Sequence, residues 1–111
     1  MTNPAAVFLA HVGDAPSADL VAEALARHFG AIGLDHLPAA AQPVWREIAL
    51  MLKADAAKPP PPRVIAATAS WPKDRSAKLI DAIRRLAAIL DQIENDRLDD
   101  AVRDSMRRHY L

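Results

Sequence analysis

The sequence contains no cysteine and few aromatic residues, and both shortages limit what the chain can be. Without cysteine it has no disulfide, no thiol nucleophile and no cysteine-based zinc site. Aromatic residues make up only 5% of the 111 residues, although hydrophobic residues make up 51%. Alanine supplies much of that difference and is the best helix former, whereas sheets favour β-branched and aromatic residues. The composition therefore predicts an all-α fold, a small helical bundle.

Neither sign of charge is in excess, because 14 basic residues balance 14 acidic ones. Proteins that bind nucleic acid usually carry a basic excess, so such a role would need a local patch. No apolar run approaches the roughly 18 residues of a membrane span, and the stretch 7–9 is too short for the core of a signal peptide. We therefore expect a cytoplasmic protein with no membrane partner.

Histidine, serine and glycine form none of the patterns of a catalytic or metal site. His11, His28, His36 and His109 lack the i,i+3 or i,i+4 spacing of metal ligands on a helix. No serine stands in a glycine-framed elbow, and three glycines are too few for a loop that cradles phosphate. We predict that the chain is not an enzyme, takes no cofactor or metal, and has no small-molecule substrate.

Four consecutive prolines, Pro59–Pro62, interrupt the sequence and span roughly 12 Å in an extended conformation. Helix signals precede them: an Asn3-Pro4 start, a helix capped by Ser17, and a helix beginning near Pro43. The predicted organisation is an N-terminal part of about three helices over 1–57, a proline-rich spacer over 58–63, and a helical, coiled-coil-like part over 64–111. Within the last part, the state of 64–69 is open between extended packing and a helix lead-in.

The strongest pattern in the chain lies after the prolines, where large aliphatic residues follow the 4-3-4-3 rhythm of a coiled-coil seam. Flanking isoleucines widen the face, as in a helix that packs against two or more neighbours. The face consists of Leu79, Ile80, Ile83, Leu86, Ile89, Leu90 and Ile93. Burying each side chain is worth about 1.5–3 kcal/mol, so the face needs a cover.

The sequence leaves open which helices bury this apolar face. The earlier helices fold back and make a monomeric bundle, or a second copy or a helical partner packs on the face. Helical faces usually serve the core of their own domain. The proline run and the length of the last element make packing by a second chain an equally strong alternative. We take residues 79–93 as the candidate self-association or partner face.

The rhythm fails after Ile93, because Arg97 stands where the next apolar residue belongs. A displaced stripe then continues with Leu98, Val102 and Met106. Either one long helix changes partners midway, or the chain breaks near Asn95-Asp96 and Asp96 caps a new helix, giving a helical hairpin. The capping residue favours the break.

A basic segment begins at Arg63 and ends at Arg85, with six bases against two acids and a local charge of +4. A helix with such a basic half can lie along phosphates. The candidate nucleic-acid contacts are Lys73, Arg75, Lys78, Arg84 and Arg85.

These patterns predict a non-enzymatic helical interaction or oligomerisation module, a regulatory or assembly adaptor. The alternative is a DNA-associated helical protein that uses the segment 63–85, such as a transcription regulator. In outline, small, all-helical and ring-forming, the chain also resembles the small subunits of phage-type DNA-packaging machines, without a shared motif.

Overall fold

The computed structural model describes residues 3–14 and 16–110, and for 98–110 it describes the helical backbone alone. The predicted all-α class is confirmed, because the described residues form helices and no strand. The α-helices are α1 (Pro4–Val12), α2 (Ala18–Phe29), α3 (Gln42–Leu52), α4 (Pro62–Ala67) and α5 (Lys73–Tyr110). Short 3-10 turns lie at Leu34–His36, Ala39–Ala41 and Thr68–Ser70.

The first two helices begin at the caps that the sequence indicates. The Asn3 side chain accepts a hydrogen bond from the Ala6 N–H at 3.1 Å, and Pro4 follows at the first helical position. The Ser17 hydroxyl accepts from the Leu20 N–H at 3.2 Å. Each cap satisfies a backbone donor that the first turn leaves without a partner. Asn3 also donates to the Ala87 carbonyl at 3.0 Å, which ties the start of α1 to α5.

Three aromatic rings form the centre of the core. Phe8 of α1 packs on Phe29 of α2 with ring centroids 5.6 Å apart, and Phe29 stacks on Trp45 of α3 at 5.7 Å. The Trp45 indole N–H donates to the Ala56 carbonyl at 3.1 Å, so the polar atom of this buried ring has a partner. One connected set of contacts thus joins α1, α2 and α3.

The proline run does not separate two cores. Pro60 is itself buried, and Ile65 of α4 and Thr68 join the buried residues. α4 and the following 3-10 turn both pack on α2, and α5 packs on α1 and α3. Residues from both sides of the prolines therefore contribute to one core. The segment after the prolines forms a helix that leads into α5, which was one of the two states left open for 64–69.

The last helix is continuous, and the expected break near Asn95-Asp96 is wrong. The Asp96 carboxylate accepts a hydrogen bond from the Gln92 amide at 3.1 Å, one turn back in the same helix. Its side chain is therefore engaged within α5 and does not cap a new one. At about 1.5 Å per residue, 38 residues reach about 57 Å, close to the 60 Å longest dimension of the molecule. None of the helices in the described part of the chain has the length and apolar character needed to cross a membrane.

Candidate functional site

Most of the predicted self-association face lies inside the chain's own core. Leu79, Ile83 and Leu86 have no exposed surface, and Ile80 and Leu90 keep 8% each. They pack where α1, α2 and α3 meet α5. This arrangement corresponds to the alternative in which the earlier helices fold back and cover the face. These five side chains are not available to a second copy unless the core opens.

The outer end of the same face is less covered. Ile89 and Ile93 are only half-buried. Ile89 packs against the edge of the core, and Ile93 lines a groove beside it. Beyond Leu90 the described part of α5 has no buried residue: 91–97 is exposed except at Ile93 and Glu94, which are half-buried. The backbone nevertheless stays helical to Tyr110. The last twenty residues of α5 thus follow Leu90, the final buried position among its described side chains.

A groove of about 350 Å³ marks the place where α5 leaves the core, and we call it the α5 groove. Its apolar walls come from Leu37 and Pro38 on one side and from Leu90 and Ile93 on the other. The charged residues around it are Asp35, Asp91, Glu94 and Arg97. Acidic residues outnumber basic ones, so the groove suits an apolar segment that carries positive charge.

The candidate nucleic-acid contacts do not form one surface. Arg85 holds Glu47 of α3 through two hydrogen bonds, with Nη2 to Oε1 at 2.6 Å and Nη1 to Oε2 at 3.0 Å. Arg84 pairs with Asp81 one turn away at 3.2 Å. At about 100° per residue, Lys73 and Arg84 also point roughly 100–180° away from Arg75, Lys78 and Arg85 around α5. Two of the five cations thus already face carboxylates.

Arg75 lies apart from these pairs and belongs to a different cluster. Its guanidinium carbon lies 4.0 Å from the centroid of the Trp71 ring, and its Nη2 donates to the Met51 carbonyl at 3.0 Å. Two further cations, Lys53 and Arg63, line the same open depression of about 310 Å³. We call it the cationic depression, and its apolar lining is Leu52, Val64 and Ala67.

The sequence did not reveal this cluster, because its members come from separate elements. Lys53 ends α3, Arg63 lies in α4, and Trp71 precedes α5. They meet because the connection between α3 and α4, which turns at 56–58, brings the start of α4 back beside the end of α3. The one local signal was Trp71-Pro72, an aromatic residue directly before the basic half of α5.

Two histidines that lack metal-ligand spacing in the sequence meet between α1 and α2. His11 Nδ1 lies 3.1 Å from His28 Nε2, within hydrogen-bond distance, and the rings meet edge to face. Partial burial lowers the pKa of His28, and the nearby His11 and Arg27 lower it further. Among the residues that the structure describes, no three histidine or carboxylate side chains come together as a metal site.

No protein family, curated protein or solved structure matches this chain. The function therefore has to be inferred from its own residues.

Proposed function

We propose that this chain is a non-enzymatic helical interaction module that self-associates through the outer part of α5. The observation that carries the proposal is the extension of α5 for twenty residues past Leu90, the last buried residue among its described side chains, 73–97. Most helical stability in proteins comes from packing of an apolar face and not from intrinsic propensity. A second copy would supply that packing.

Residues at the start of this extension support the proposal. Ile89 and Ile93 continue the apolar face of α5 but keep part of their surface exposed. In the sequence, the stripe Leu98, Val102 and Met106 follows on the same helix. That stripe is displaced by about 140° from Ile93 around the helix, so Ile89 and Ile93 are the described residues that we assign to the interface. Partly exposed apolar residues beside a groove are typical of surfaces that pack against another chain.

Charge favours a second copy as the partner. Asp35, Asp91 and Glu94, against Arg97 alone, line the α5 groove, whereas the stretch 105–110 at the end of α5 contains Arg107 and Arg108 and no acidic residue. The same chain thus contains an acidic groove and a helix end whose last two turns are basic. Opposite charge steers association and sets its register more than it adds affinity.

Light scattering coupled to size-exclusion chromatography over a range of protein concentration tests the proposal. We expect a dimer or a larger assembly instead of the 12.0 kDa monomer. The double variant Ile89→Gln/Ile93→Gln should return the mass to that of the monomer. Its matched control, Ala88→Gln/Asn95→Gln, changes two exposed positions about 100–160° away around the helix and should associate like the parent chain.

A wild-type chain that stays monomeric at every concentration contradicts the proposal. Association that persists in the isoleucine variant would place the interface on another surface. Circular dichroism of both variants separates loss of association from loss of folding.

DNA association through the segment 63–85 stays the alternative function, and the cationic depression is the observation that favours it. Arg84 and Arg85 contribute less than the sequence implies, because each already pairs with a carboxylate. Duplex binding that weakens steeply with salt, and weakens further in Arg63→Gln/Arg75→Gln, would support this alternative.

A further inference from the structure

The cationic depression combines positive charge with a flat aromatic surface. Lys53, Arg63 and Arg75 line it together with Trp71, and no carboxylate is part of the lining. Within the described part of the chain, none of these three cations forms an ion pair. Their charge is therefore not neutralised by the protein itself. Such uncompensated charge in a concave site attracts an anion.

Trp71 and Arg75 form a preorganised stack inside the depression. Trp71 is half-buried, and the Arg75 guanidinium lies over its ring at 4.0 Å. The hydrogen bond from Arg75 to the Met51 carbonyl fixes this guanidinium to the end of α3. An indole and a guanidinium held in this way offer planar surfaces on which nucleobases stack.

Arg63 and Lys53 supply the complementary chemistry for phosphate. A guanidinium fork binds phosphate oxygens in pairs, and an ammonium acts as a compact point charge. The volume of about 310 Å³ lies at the small end of the roughly 300–1,000 Å³ typical of ligand pockets. We propose that the cationic depression binds a nucleotide unit, with phosphate at Lys53 and Arg63 and the base against the Trp71–Arg75 stack.

A free nucleotide and a single strand of nucleic acid both present this chemistry, whereas a duplex keeps its bases stacked inside the helix and out of reach of an aromatic ring. An acidic peptide would satisfy the cations but has no planar base for the stack. The inference does not depend on self-association, since the depression lies beside the first turn of α5 and the proposed interface lies beyond its Leu90.

Fluorescence anisotropy of the full chain with a labelled deoxythymidine oligomer of about ten nucleotides tests this site at about 50 mM salt. Competition with unlabelled thymidine monophosphate distinguishes a free nucleotide from a single strand as the ligand. Displacement at similar concentrations of nucleotide supports a free nucleotide as the ligand, and much tighter binding of the oligomer supports a single strand. Poly-glutamate is the test for a general acidic polymer.

Two variants assign binding to the depression. Lys53→Gln/Arg63→Gln removes two exposed cations and should reduce the slope of log K against log salt concentration by about 0.7, the value for one lost phosphate contact on a single strand. Trp71→Leu should weaken binding by about 5- to 150-fold. The control Arg27→Gln/Arg46→Gln removes the same charge from exposed positions outside the depression and should bind like the parent chain.

No binding of oligomer or nucleotide at low salt overturns the proposal. If poly-glutamate binds as tightly as the oligomer, the ligand is an acidic polypeptide and the proposal is overturned. If the control variant loses as much affinity as Lys53→Gln/Arg63→Gln, binding depends on overall charge and not on the depression. If Trp71→Leu unfolds, Lys53→Gln/Arg63→Gln still decides the question, because both side chains are exposed. The mass in solution is measured separately, so failure here leaves the self-association proposal untouched.

Discussion

Arg85 of α5 forms a bidentate ion pair with Glu47 of α3, and its two terminal nitrogens lie 2.6 and 3.0 Å from the two carboxylate oxygens. The pair joins residues 38 positions apart in the sequence. Two parallel hydrogen bonds of this kind are the strongest geometry available to an exposed ion pair. The hydrogen bonds to Arg85 hold the pKa of Glu47 below its ordinary value of 4.5.

The first prediction follows from this pair. Arg85→Gln should return the pKa of Glu47 toward 4.5, as measured by NMR titration of its side-chain carboxyl. The stability that the pair contributes is present above that ordinary pKa and is lost as the pH falls through the lower folded pKa. The loss of stability in the variant should be small and should shrink further with salt, because both side chains are exposed. An unchanged Glu47 titration, or the same change in Arg84→Gln, would contradict this assignment.

Burial along α5 predicts a sharp contrast between two large aliphatic residues three positions apart. Leu86 has no exposed surface, and Ile89 is half-buried. Leu86→Ala should lower the free energy of unfolding by about 2–5 kcal/mol, the usual cost of a cavity in a core. Ile89→Ala should cost clearly less, since its side chain is only partly removed from water.

Chemical denaturation of both variants, at concentrations low enough to keep the chain monomeric, checks this contrast. Equal costs would mean that α5 is not the core helix described here, and a mild effect of Leu86→Ala would mean that its face is covered by another chain instead.

The N-terminal helices and the residues of the apolar face could be predicted because their signals are local. Ser17, Asn3 and Gly13 mark helix ends by capping chemistry, which needs no tertiary contact. Spacing alone likewise placed Leu79 and Leu86 on one buried face.

What covers that face is not a local property, so the sequence left two alternatives open. Burial of the face depends on the path of the chain between α3 and α4, where a turn at 56–58 precedes the prolines and Pro60 is buried against the fold. The same path brings Lys53, Arg63 and Trp71 together. A charge count over 63–85 could not find this site, because Lys53 lies outside that segment. The same count includes Arg84 and Arg85, each of which has a carboxylate partner.

The histidine pair predicts a loss of stability in mild acid. Partial burial, His11 and Arg27 together lower the pKa of His28 from its ordinary value of 6.5. The unfolded chain therefore takes up a proton at higher pH than the folded chain does. Stability should be greatest above pH 6.5 and should fall below it until the lower folded pKa of His28 is passed.

Thermal melts between neutral and mildly acidic pH measure this effect. His28→Gln should flatten the dependence on pH in this window, and His11→Gln should flatten it in part by removing one of the groups that lower the pKa of His28. An unchanged slope in His28→Gln would assign the dependence on pH to other groups.

Lys53 links the stability of the fold to the proposed nucleotide site. It ends α3 in the left-handed conformation, with φ 57° and ψ 43°, and its N–H donates to the Leu50 carbonyl at 3.1 Å. Glycine adopts this conformation without the steric cost that a Cβ imposes, which makes it the favoured residue at such a helix end. Lys53→Gly should therefore stabilise the fold by about 0.5–1 kcal/mol in chemical denaturation.

The same substitution removes one of the two cations that we assign to phosphate, so it should weaken binding of the deoxythymidine oligomer while it stabilises the protein. Lys53→Ala is the matched control, since it loses the same charge but keeps the Cβ: binding should fall equally, without the gain in stability. Strain that persists at a position where glycine would relieve it points to a side chain kept for its function. If Lys53→Gly gains stability and binds the oligomer as tightly as the parent chain, Lys53 is a helix cap and not part of a binding site.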